Sequence, residues 1–294
     1  MKYHTPVLVN YINQILTPLN SKNIIDATLG NGGHTINFLS QGATVFGIDK
    51  DINNLQISQD RIKQMNLDKK FTAIQSDFKN ISQIYQQKIK VPIDAILFDL
   101  GLSLNQQKSV NRGFSFNDPL CLDMRLDQTN SNLTADQIVN SYPPQQLFRI
   151  FSIFGQEIHS LLIAQEIAKK RQTSPFSSAK SLADFIVNVY KKNNLNIGKI
   201  HPATKIFLAL KIVVNDELNN LTIALNHSLN LVKKSGWILI ITFHSTEDRL
   251  VKNFIKSSQA KDIIKNIGKT KPDYLEIKQN PLSRSALLRF FQKA

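Results

Sequence analysis

Short apolar runs alternate with longer amphipathic segments over the first hundred residues, and this alternation constrains the fold more than any other feature. The runs have the length and composition of buried strands, and they are 23–30 (NIIDATLG), 43–49 (ATVFGID), 70–77 (KFTAIQSD) and 92–101 (PIDAILFDLG). The segments between them carry apolar residues at helical spacing. Nearly continuous apolar strands that alternate with helices are typical of a parallel sheet that helices cover on both faces. The sequence therefore predicts an α/β domain.

The strand pattern is interrupted in the middle of the chain. Residues 104–132 are polar and loop-like, and only helical patterns occur between them and a buried strand at 236–243. Two further candidate strands, 272–278 (PDYLEIK) and 285–291 (SALLRFF), are separated by a turn that contains a proline, as in a terminal hairpin. The prediction is an α/β domain interrupted by a helical, substrate-binding insertion, with the boundaries 1–104, 105–205 and 206–294.

The charge balance favours a polyanionic partner. Lys and Arg number 36 against 22 Asp and Glu, which gives a net charge of +14. Nucleic acid is the first candidate and an anionic membrane surface the second, although a proteome rich in Lys and Asn would give the same balance. The N-terminal segment lacks the unbroken apolar stretch of a signal peptide, and the run at 237–243 is too short to span a bilayer. We expect a cytoplasmic protein.

A glycine-rich turn, Gly30-Asn31-Gly32-Gly33, follows the first predicted strand. In an open α/β sheet, ligands bind at the carboxyl ends of the strands, where this turn lies. Neither the dinucleotide spacing G-x-G-x-x-G nor the phosphate-binding G-x-x-x-x-G-K-[ST] is present. The absence of a Cβ lets such a turn approach a ligand closely, but a structural tight turn would need the same glycines.

Acidic residues at the ends of the next strands indicate what the turn binds. Asp49 ends the second strand, about 20 residues beyond the turn, where a carboxylate can accept hydrogen bonds from both hydroxyls of a ribose. This pattern indicates an adenosine-containing cofactor, either NAD or S-adenosylmethionine. Phe78 follows the third strand and either stacks on adenine or packs in the core, and Asp99 ends the fourth. The missing dinucleotide spacing and the terminal hairpin favour S-adenosylmethionine.

Several motifs, in order along nearly the whole chain, resemble the MraW/RsmH family of bacterial 16S rRNA cytosine-N4 methyltransferases. They are HTPVLVNYI, DATLGNGGHT, DLGLS, RGFSF, LDMRLD, HPATKIFLALKIVVNDEL, FHSTEDRLVKNF and NPLSRSALLR. The chain departs from the family pattern after the fourth strand, where DLGLSLNQQ lacks the usual Ser-Pro, and at Lys205 and Lys211, where Arg is usual.

The resemblance implies a class I (Rossmann-like) S-adenosylmethionine-dependent methyltransferase sheet with an inserted all-helical subdomain. It implies N4-methylation of a specific cytidine in the decoding centre of 16S rRNA, with the small ribosomal subunit as partner, and it is compatible with a homodimer. The cofactor-binding positions that it implies are Gly32, Gly33, His34, Asp49, Phe78, Asp99 and Gln106.

The chemistry of a cytosine amine suggests further candidates. Its lone pair is delocalised into the ring, so an enzyme must hold the amine in line with the methyl donor and accept its hydrogen bonds. The turn after the fourth strand could provide the acceptors, at Leu100, Gly101 and Ser103, and Asp99 or a water could take the proton. We therefore predict Asp99 and Ser103 as catalytic residues.

Aromatic and cationic residues in motif-like loops are candidates for RNA contacts. The target base could stack on Phe114 or Phe116. The predicted substrate-binding residues are Arg112, Phe114, Arg125, Arg249 and Arg284.

Three other functions compete with this interpretation. Methylation at cytosine C5 needs a low-pKa thiolate, for which Cys121 is the only cysteine. A non-catalytic rRNA-binding assembly factor on a methyltransferase fold would bind no S-adenosylmethionine, and a small-molecule methyltransferase would show no salt-dependent affinity for rRNA.

No metal site is expected, because His201, His227 and His244 lack metal-ligand spacing.

Overall fold

The computed structural model describes residues 5–18, 22–103, 105–106 and 111–294. It divides the chain into two compact units. The first consists of Met1–Ser103 and Leu218–Ala294, and the second is Leu104–Glu217. The second unit therefore reaches Glu217, whereas the sequence analysis ended the insertion at residue 205.

The first unit is built on a seven-stranded sheet in the order β3-β2-β1-β4-β5-β7-β6. Strands β1 to β5 are parallel, and β7 runs antiparallel between β5 and β6. The strands are β1 Asn23–Asp26, β2 Thr44–Asp49, β3 Phe71–Gln75, β4 Ile93–Asp99, β5 Val232–Thr242, β6 Ile264–Thr270 and β7 Leu287–Lys293. This sheet confirms the predicted Rossmann-like α/β fold.

Helices surround the sheet in the first unit and form the second unit. In chain order they are α1 Val9–Leu16, α2 Gly33–Ser40, α3 Ile52–Gln64, α4 Ile81–Ile84, α5 Ala135–Ser141, α6 Pro144–Ile153, α7 Ser160–Arg171, α8 Ala179–Lys192, α9 Thr204–Val214, α10 Glu217–Leu231, α11 Ser245–Gln259 and α12 Tyr274–Gln279. Within the described ranges, no helix is long and apolar enough to cross a bilayer.

Alternate residues of the central strands pack into two separate cores, one on each face of the sheet. Ile25 and Ile96 belong to one core, and their neighbours Ile24 and Leu97 belong to the other. Successive side chains of a strand point to opposite faces, so burial on both faces requires an apolar residue at almost every position. The continuous apolar runs in the sequence are the direct result of this requirement.

The predicted strand at 272–278 is wrong. Tyr274–Gln279 is a helix, α12, whose N-cap Asp273 accepts a hydrogen bond from the backbone N–H of Glu276 at 2.8 Å. The antiparallel partner of β7 is instead Ile264–Thr270, in which only Ile264 is buried. An edge strand pairs on one side alone and is protected by charged residues, so β6 lacks the apolar run by which its neighbours were found.

The second unit has its own apolar core. Phe151 of α6, Ile163 of α7 and Leu182 of α8 are fully buried in it. Thr134 and Ser178 start α5 and α8 with capping boxes, which satisfy backbone N–H groups that a helix start leaves without partners. The core also includes Ile206, Leu210 and Val214 of α9, and this packing explains why the unit extends past residue 205.

Candidate functional site

The glycine turn lies between β1 and α2, at the carboxyl ends of the parallel strands. Gly30 and Gly32 have φ angles of +51° and +76°, which glycine adopts at little cost and other residues adopt rarely. A Cβ on Gly32 would lie 3.2 Å from Ser58 Cβ of α3, and a Cβ on Gly33 would lie 3.2 Å from Pro6 Cβ. These two glycines therefore allow close packing within the protein, as well as shaping the turn.

Asp49, at the end of β2, organises the turn. Its Oδ2 accepts hydrogen bonds from the Gly30 N–H at 2.8 Å and from Asn54 Nδ2 at 3.1 Å, and its Oδ1 accepts one from the Asp51 N–H at 2.8 Å. A carboxylate has about four acceptor positions, so these three donors leave capacity for a ligand. Asp49 therefore has a structural role in the turn, and its contact with a ribose stays a prediction.

Asn54 extends this network to Ser103. The Ser103 hydroxyl donates to Asn54 Oδ1 at 3.1 Å, while the amide of the same Asn54 donates to Asp49. A predicted catalytic hydroxyl and a predicted cofactor ligand are thus joined by one buried side chain. The sequence analysis missed Asn54, because an Asn in the first turn of a helix is ordinary and nothing in the sequence shows its partners.

His34 and Asp99 face each other across the ends of β1 and β4. His34, in the first turn of α2, is 5% exposed, and its Nε2 lies 3.6 Å from Asp99 Oδ2. Both ring nitrogens of His34 and Asp99 Oδ1 are buried without a hydrogen-bond partner among the described residues. Buried polar atoms are costly when unsatisfied, so this pair fits a ligand that brings its own polar groups.

Two further groups support the pair. The backbone N–H of Asp99 donates to Thr28 Oγ1 at 2.6 Å, which ties the end of β4 to the glycine turn. Asp26, at the end of β1, is buried and accepts a hydrogen bond from the Thr35 hydroxyl at 2.7 Å. Burial raises the pKa of Asp26, and the nearby His34 opposes this rise. Neither Thr28 nor Asp26 was a candidate in the sequence.

Phe78 lies just beyond β3, half-buried, with its ring edge-to-face against Phe98 at 5.8 Å between centroids. Beside it, Asp77 Oδ2 lies 3.5 Å from Lys50 Nζ and accepts a hydrogen bond from Asn220 Nδ2 at 3.1 Å. Packing against the core therefore accounts for part of the burial of Phe78, and the proposed adenine contact stays a prediction.

A carboxyl group lies at or just after the end of each of β1 to β4. The four residues are Asp26, Asp49, Asp77 and Asp99.

The second unit contains the remaining cofactor candidate, Gln106, which is buried. It also contains Arg112 and Arg125, whose guanidinium groups bind within their own loop. Arg112 donates to the carbonyls of Arg125 and Leu126 at 2.9 and 3.2 Å. Arg125 forms a bidentate ion pair with Asp123, in which Nε donates to Oδ1 and Nη2 donates to Oδ2, each at 2.8 Å. These contacts give both arginines a structural role, and RNA binding by them stays a prediction.

The two aromatic candidates in this unit already contact other side chains of the unit. Arg112 lies over the ring of Phe114, 5.6 Å from its centroid. Phe116 stacks on His201, with 4.6 Å between the ring centroids, and contacts Phe207 edge-to-face, with 4.8 Å between the centroids. Phe114, with fewer ring contacts of this kind among the described residues, is therefore the better candidate for stacking a base. Arg249 and Arg284, in the first unit, are exposed.

Comparison with known proteins identifies the family. The family model described as the MraW methylase family matches residues 1–294. A protein of Sulfurihydrogenibium sp. (strain YO3AOP1) named "Ribosomal RNA small subunit methyltransferase H" is 38% identical over 293 residues, which cover 98% of each chain. A protein of the same name from Brachyspira hyodysenteriae is 35% identical, over 99% of this chain and 96% of the relative. These matches confirm the predicted methyltransferase activity and S-adenosylmethionine as its cofactor, and the chain belongs to the MraW methylase family.

Proposed function

We propose that the protein transfers the methyl group of S-adenosylmethionine to the exocyclic N4 amine of one cytidine in the decoding centre of 16S rRNA. The observation that carries the proposal is the pair His34 and Asp99, which lie 3.6 Å apart beside the glycine turn. Both ring nitrogens of His34 and the Asp99 Oδ1 atom are buried without a hydrogen-bond partner among the described residues. The RNA class comes from the relatives, which are named as methyltransferases of small-subunit rRNA.

The charge at the ends of the strands supports a cationic cofactor. Asp26, Asp49, Asp77 and Asp99 place four carboxyl groups at this edge of the sheet. Asp77 is paired with Lys50 and burial raises the pKa of Asp26, so Asp49 and Asp99 are the groups that would repel the pyrophosphate of a dinucleotide, whereas S-adenosylmethionine carries a sulfonium and an ammonium group. The positions Gly32, Gly33, His34, Asp49, Phe78, Asp99 and Gln106 are proposed to hold it.

The protein's own groups position the amine and remove its proton. When bound, the cofactor supplies an electrophilic methyl group. Carbonyl oxygens of the β4 turn, at Leu100 and Gly101, and the Ser103 oxygen accept hydrogen bonds from the amine, which localises its lone pair. Asp99 would accept the proton that leaves the nitrogen once the amine has taken the methyl group.

Cys121 does not fit the competing attack on cytosine C5. Burial raises the pKa of the Cys121 thiol, which keeps it protonated near neutral pH, while the C5 mechanism needs a thiolate.

The partner in this proposal is the small ribosomal subunit, in the cytoplasm. The net charge of +14 suits a phosphate-rich substrate. A homodimer, which the family resemblance allows, is part of the proposal, and light scattering of the purified protein tests it.

Analysis of the product tests the function directly. Purified protein, given S-adenosylmethionine and small subunits that lack the modification, should form N4-methylcytidine at one position of 16S rRNA. Digestion and mass spectrometry separate this nucleoside from the isobaric ring-methylated and ribose-methylated products. Cys121→Ser should retain nearly full activity, because the thiol takes no part.

A ring-methylated cytidine, or a methyl group on another base, would contradict the proposal, as would loss of all activity in Cys121→Ser. Absence of any S-adenosylmethionine binding by calorimetry would favour the assembly factor instead.

Asp49 should make cofactor affinity depend on pH. Burial, opposed by hydrogen bonds from the Asp51 and Gly30 backbone and from Asn54, raises the pKa of Asp49 to about 6. The carboxylate is the form that accepts hydrogen bonds from ribose hydroxyls, so binding favours deprotonation. We expect the dissociation constant to be constant well above this pKa and to rise by up to about tenfold per unit as the pH falls below it. Calorimetry across this range measures the effect, and Asp49→Asn, which cannot titrate, should abolish it.

The same group has the opposite effect on folding of the ligand-free protein. Because the pKa of Asp49 is raised from 3.8 to about 6, the protonated folded state is favoured at low pH. The contribution of Asp49 to the free energy of unfolding is therefore lost as the pH rises through this interval. A binding profile that weakens with rising pH would contradict the assignment of Asp49 to the ribose.

A further inference from the structure

The connection between β6 and β7 exposes a group of apolar and basic side chains, of which only Arg284 was named above as a candidate for RNA contact. Tyr274, Leu275 and Leu282 are 75%, 63% and 49% exposed. Lys271, Lys278 and Arg284, in the same connection, are also exposed. Among the aromatic residues that the structure describes, Tyr274 is the most exposed, and most of its surface lies outside the core.

This connection lies at the carboxyl ends of the parallel strands, as the candidate cofactor site does. Leu287, the first residue of β7, pairs with Thr242, the last residue of β5. Since β5 is parallel to β1 through β4, the segment before Leu287 lies at the carboxyl ends of those strands. Their ends carry the glycine turn and Asp99.

Hydrogen bonds to the N-terminal segment fix the connection beside the glycine turn. Glu276 Oε1 accepts a hydrogen bond from the Leu8 N–H at 2.6 Å, and Asn280 Nδ2 donates to the Thr5 carbonyl at 3.0 Å. Pro6, between those two residues, packs against Gly33. The chain of contacts thus runs from α12 through Pro6 to the first residue of α2.

The side chains of α12 divide into a bound set and an exposed set. Two acidic groups are engaged with the backbone, since Asp273 caps the start of the helix and Glu276, within it, accepts a hydrogen bond from the Leu8 N–H. Tyr274 and Lys278 are four residues apart, which places them side by side on one face of the helix. An exposed aromatic ring beside a cation is the combination by which proteins hold single-stranded nucleic acid, because the ring stacks on a base while the cation contacts a phosphate.

We propose that Tyr274 and Lys278 bind a single-stranded segment of the rRNA that flanks the target cytidine, with Tyr274 stacking on a base and Lys278 contacting the backbone. This inference rests on the proposed function for the identity of the RNA. It adds a contact site in the first unit, on a helix anchored to the N-terminal segment that packs against the cofactor turn.

The test compares variants in RNA affinity and in methyl transfer. Tyr274→Ala should raise the KM for small subunits and for protein-free 16S rRNA by about tenfold, with unchanged kcat at saturating RNA and unchanged affinity for S-adenosylmethionine. Tyr274→Phe should behave as wild type, because a phenyl ring also stacks. Lys278→Ala should reduce the slope of log affinity against log salt by about one charge contact.

Lys69→Ala is the matched control for charge. Lys69 is exposed and lies just before β3. β3 is the outer strand on the side of the sheet opposite to β6. Its removal should leave the KM for RNA unchanged and the salt slope close to that of wild type. Circular dichroism and the melting temperature of each variant show that the fold is retained.

The outcomes separate the two proposals. If wild-type protein methylates its cytidine and both Tyr274→Ala and Lys278→Ala retain wild-type KM and salt slope, the contact is disproved and the function stands. An effect of Tyr274→Ala on small subunits but not on protein-free rRNA would assign the surface to a ribosomal protein and overturn the inference. If wild-type protein methylates no rRNA, the proposed function fails, whatever RNA affinity the variants show.

Discussion

Replacing Asp49 with alanine should weaken the binding of S-adenosylmethionine by about 10- to 100-fold. The acceptor position that the protein donors leave open is proposed to take a hydrogen bond from the ribose, and a hydrogen bond to a charged group is worth about 1.5–3 kcal/mol. The substitution also removes the acceptor of the Gly30 and Asp51 N–H groups and of Asn54. The glycine turn should therefore lose order even before the cofactor arrives. Isothermal calorimetry gives the affinity, and the melting temperature reports the effect on the turn.

Asp49→Asn separates these two effects. An asparagine can keep one oxygen towards Gly30 and Asn54, so the turn should remain closer to wild type, while the amide loses the charge that the ribose contact needs. We expect its affinity to lie between those of wild type and Asp49→Ala. Asp68→Ala, which removes an exposed carboxylate before β3, should bind the cofactor normally. Wild-type affinity in Asp49→Ala would exclude Asp49 from the site.

Asp99→Asn should lower kcat by a factor of about 10² to 10⁴, the usual contribution of a positioned proton acceptor. Asp99 Oδ1 is buried without a hydrogen-bond partner among the described residues, and Oδ2 lies 3.6 Å from His34 Nε2. An amide of the same shape keeps the contact with Thr28, which uses the backbone N–H of Asp99, but it cannot accept a proton. Single-turnover methylation with saturating cofactor and RNA isolates this step from binding.

A lower kcat with little change in cofactor affinity would establish Asp99 as the proton acceptor. A variant that binds S-adenosylmethionine poorly but turns over at the wild-type rate when saturated would show Asp99 to be a cofactor ligand only. In that case a water molecule would take the proton. His34→Gln is the companion variant, because it alters the neighbour of Asp99 while leaving the carboxyl group in place.

The sequence predicted the part of the fold that burial on both faces dictates. Strands β1, β2, β4 and the second half of β5 were visible because almost every position is apolar. The edge strand β3 has one buried residue but still carries three apolar residues in five, whereas β6 was missed because only Ile264 and Ile267 of its seven residues are large and apolar. The end of the insertion was misplaced because the pattern of α9 shows a helix but does not show which core it joins. Membership of that core appears only through packing of Ile206 and Leu210.

In the candidate site, too, the sequence indicated some residues and gave no signal for others. The glycine turn, Asp49 and Asp99 lie at strand ends, where the topology brings residues together, so their spacing along the chain was informative. Asn54 and Thr28 act through single hydrogen bonds, for which a sequence has no periodic signal. For Arg112 and Arg125, the motif shows a cation but not its partner, and their guanidinium groups bind the loop itself.

The pairing of β4 with β5 determines the order in which the newly made chain can fold. These neighbouring strands are separated in sequence by the whole second unit, since Asp99 pairs with Ile241. At typical rates of synthesis, about 5–20 residues per second, the ribosome needs on the order of ten seconds to make that unit. Throughout this interval β4 has an open edge and an apolar surface that awaits β5, while the second unit can already close its own core. The glycine turn, which Thr28 ties to the end of β4, can therefore reach its final packing only after synthesis is nearly complete.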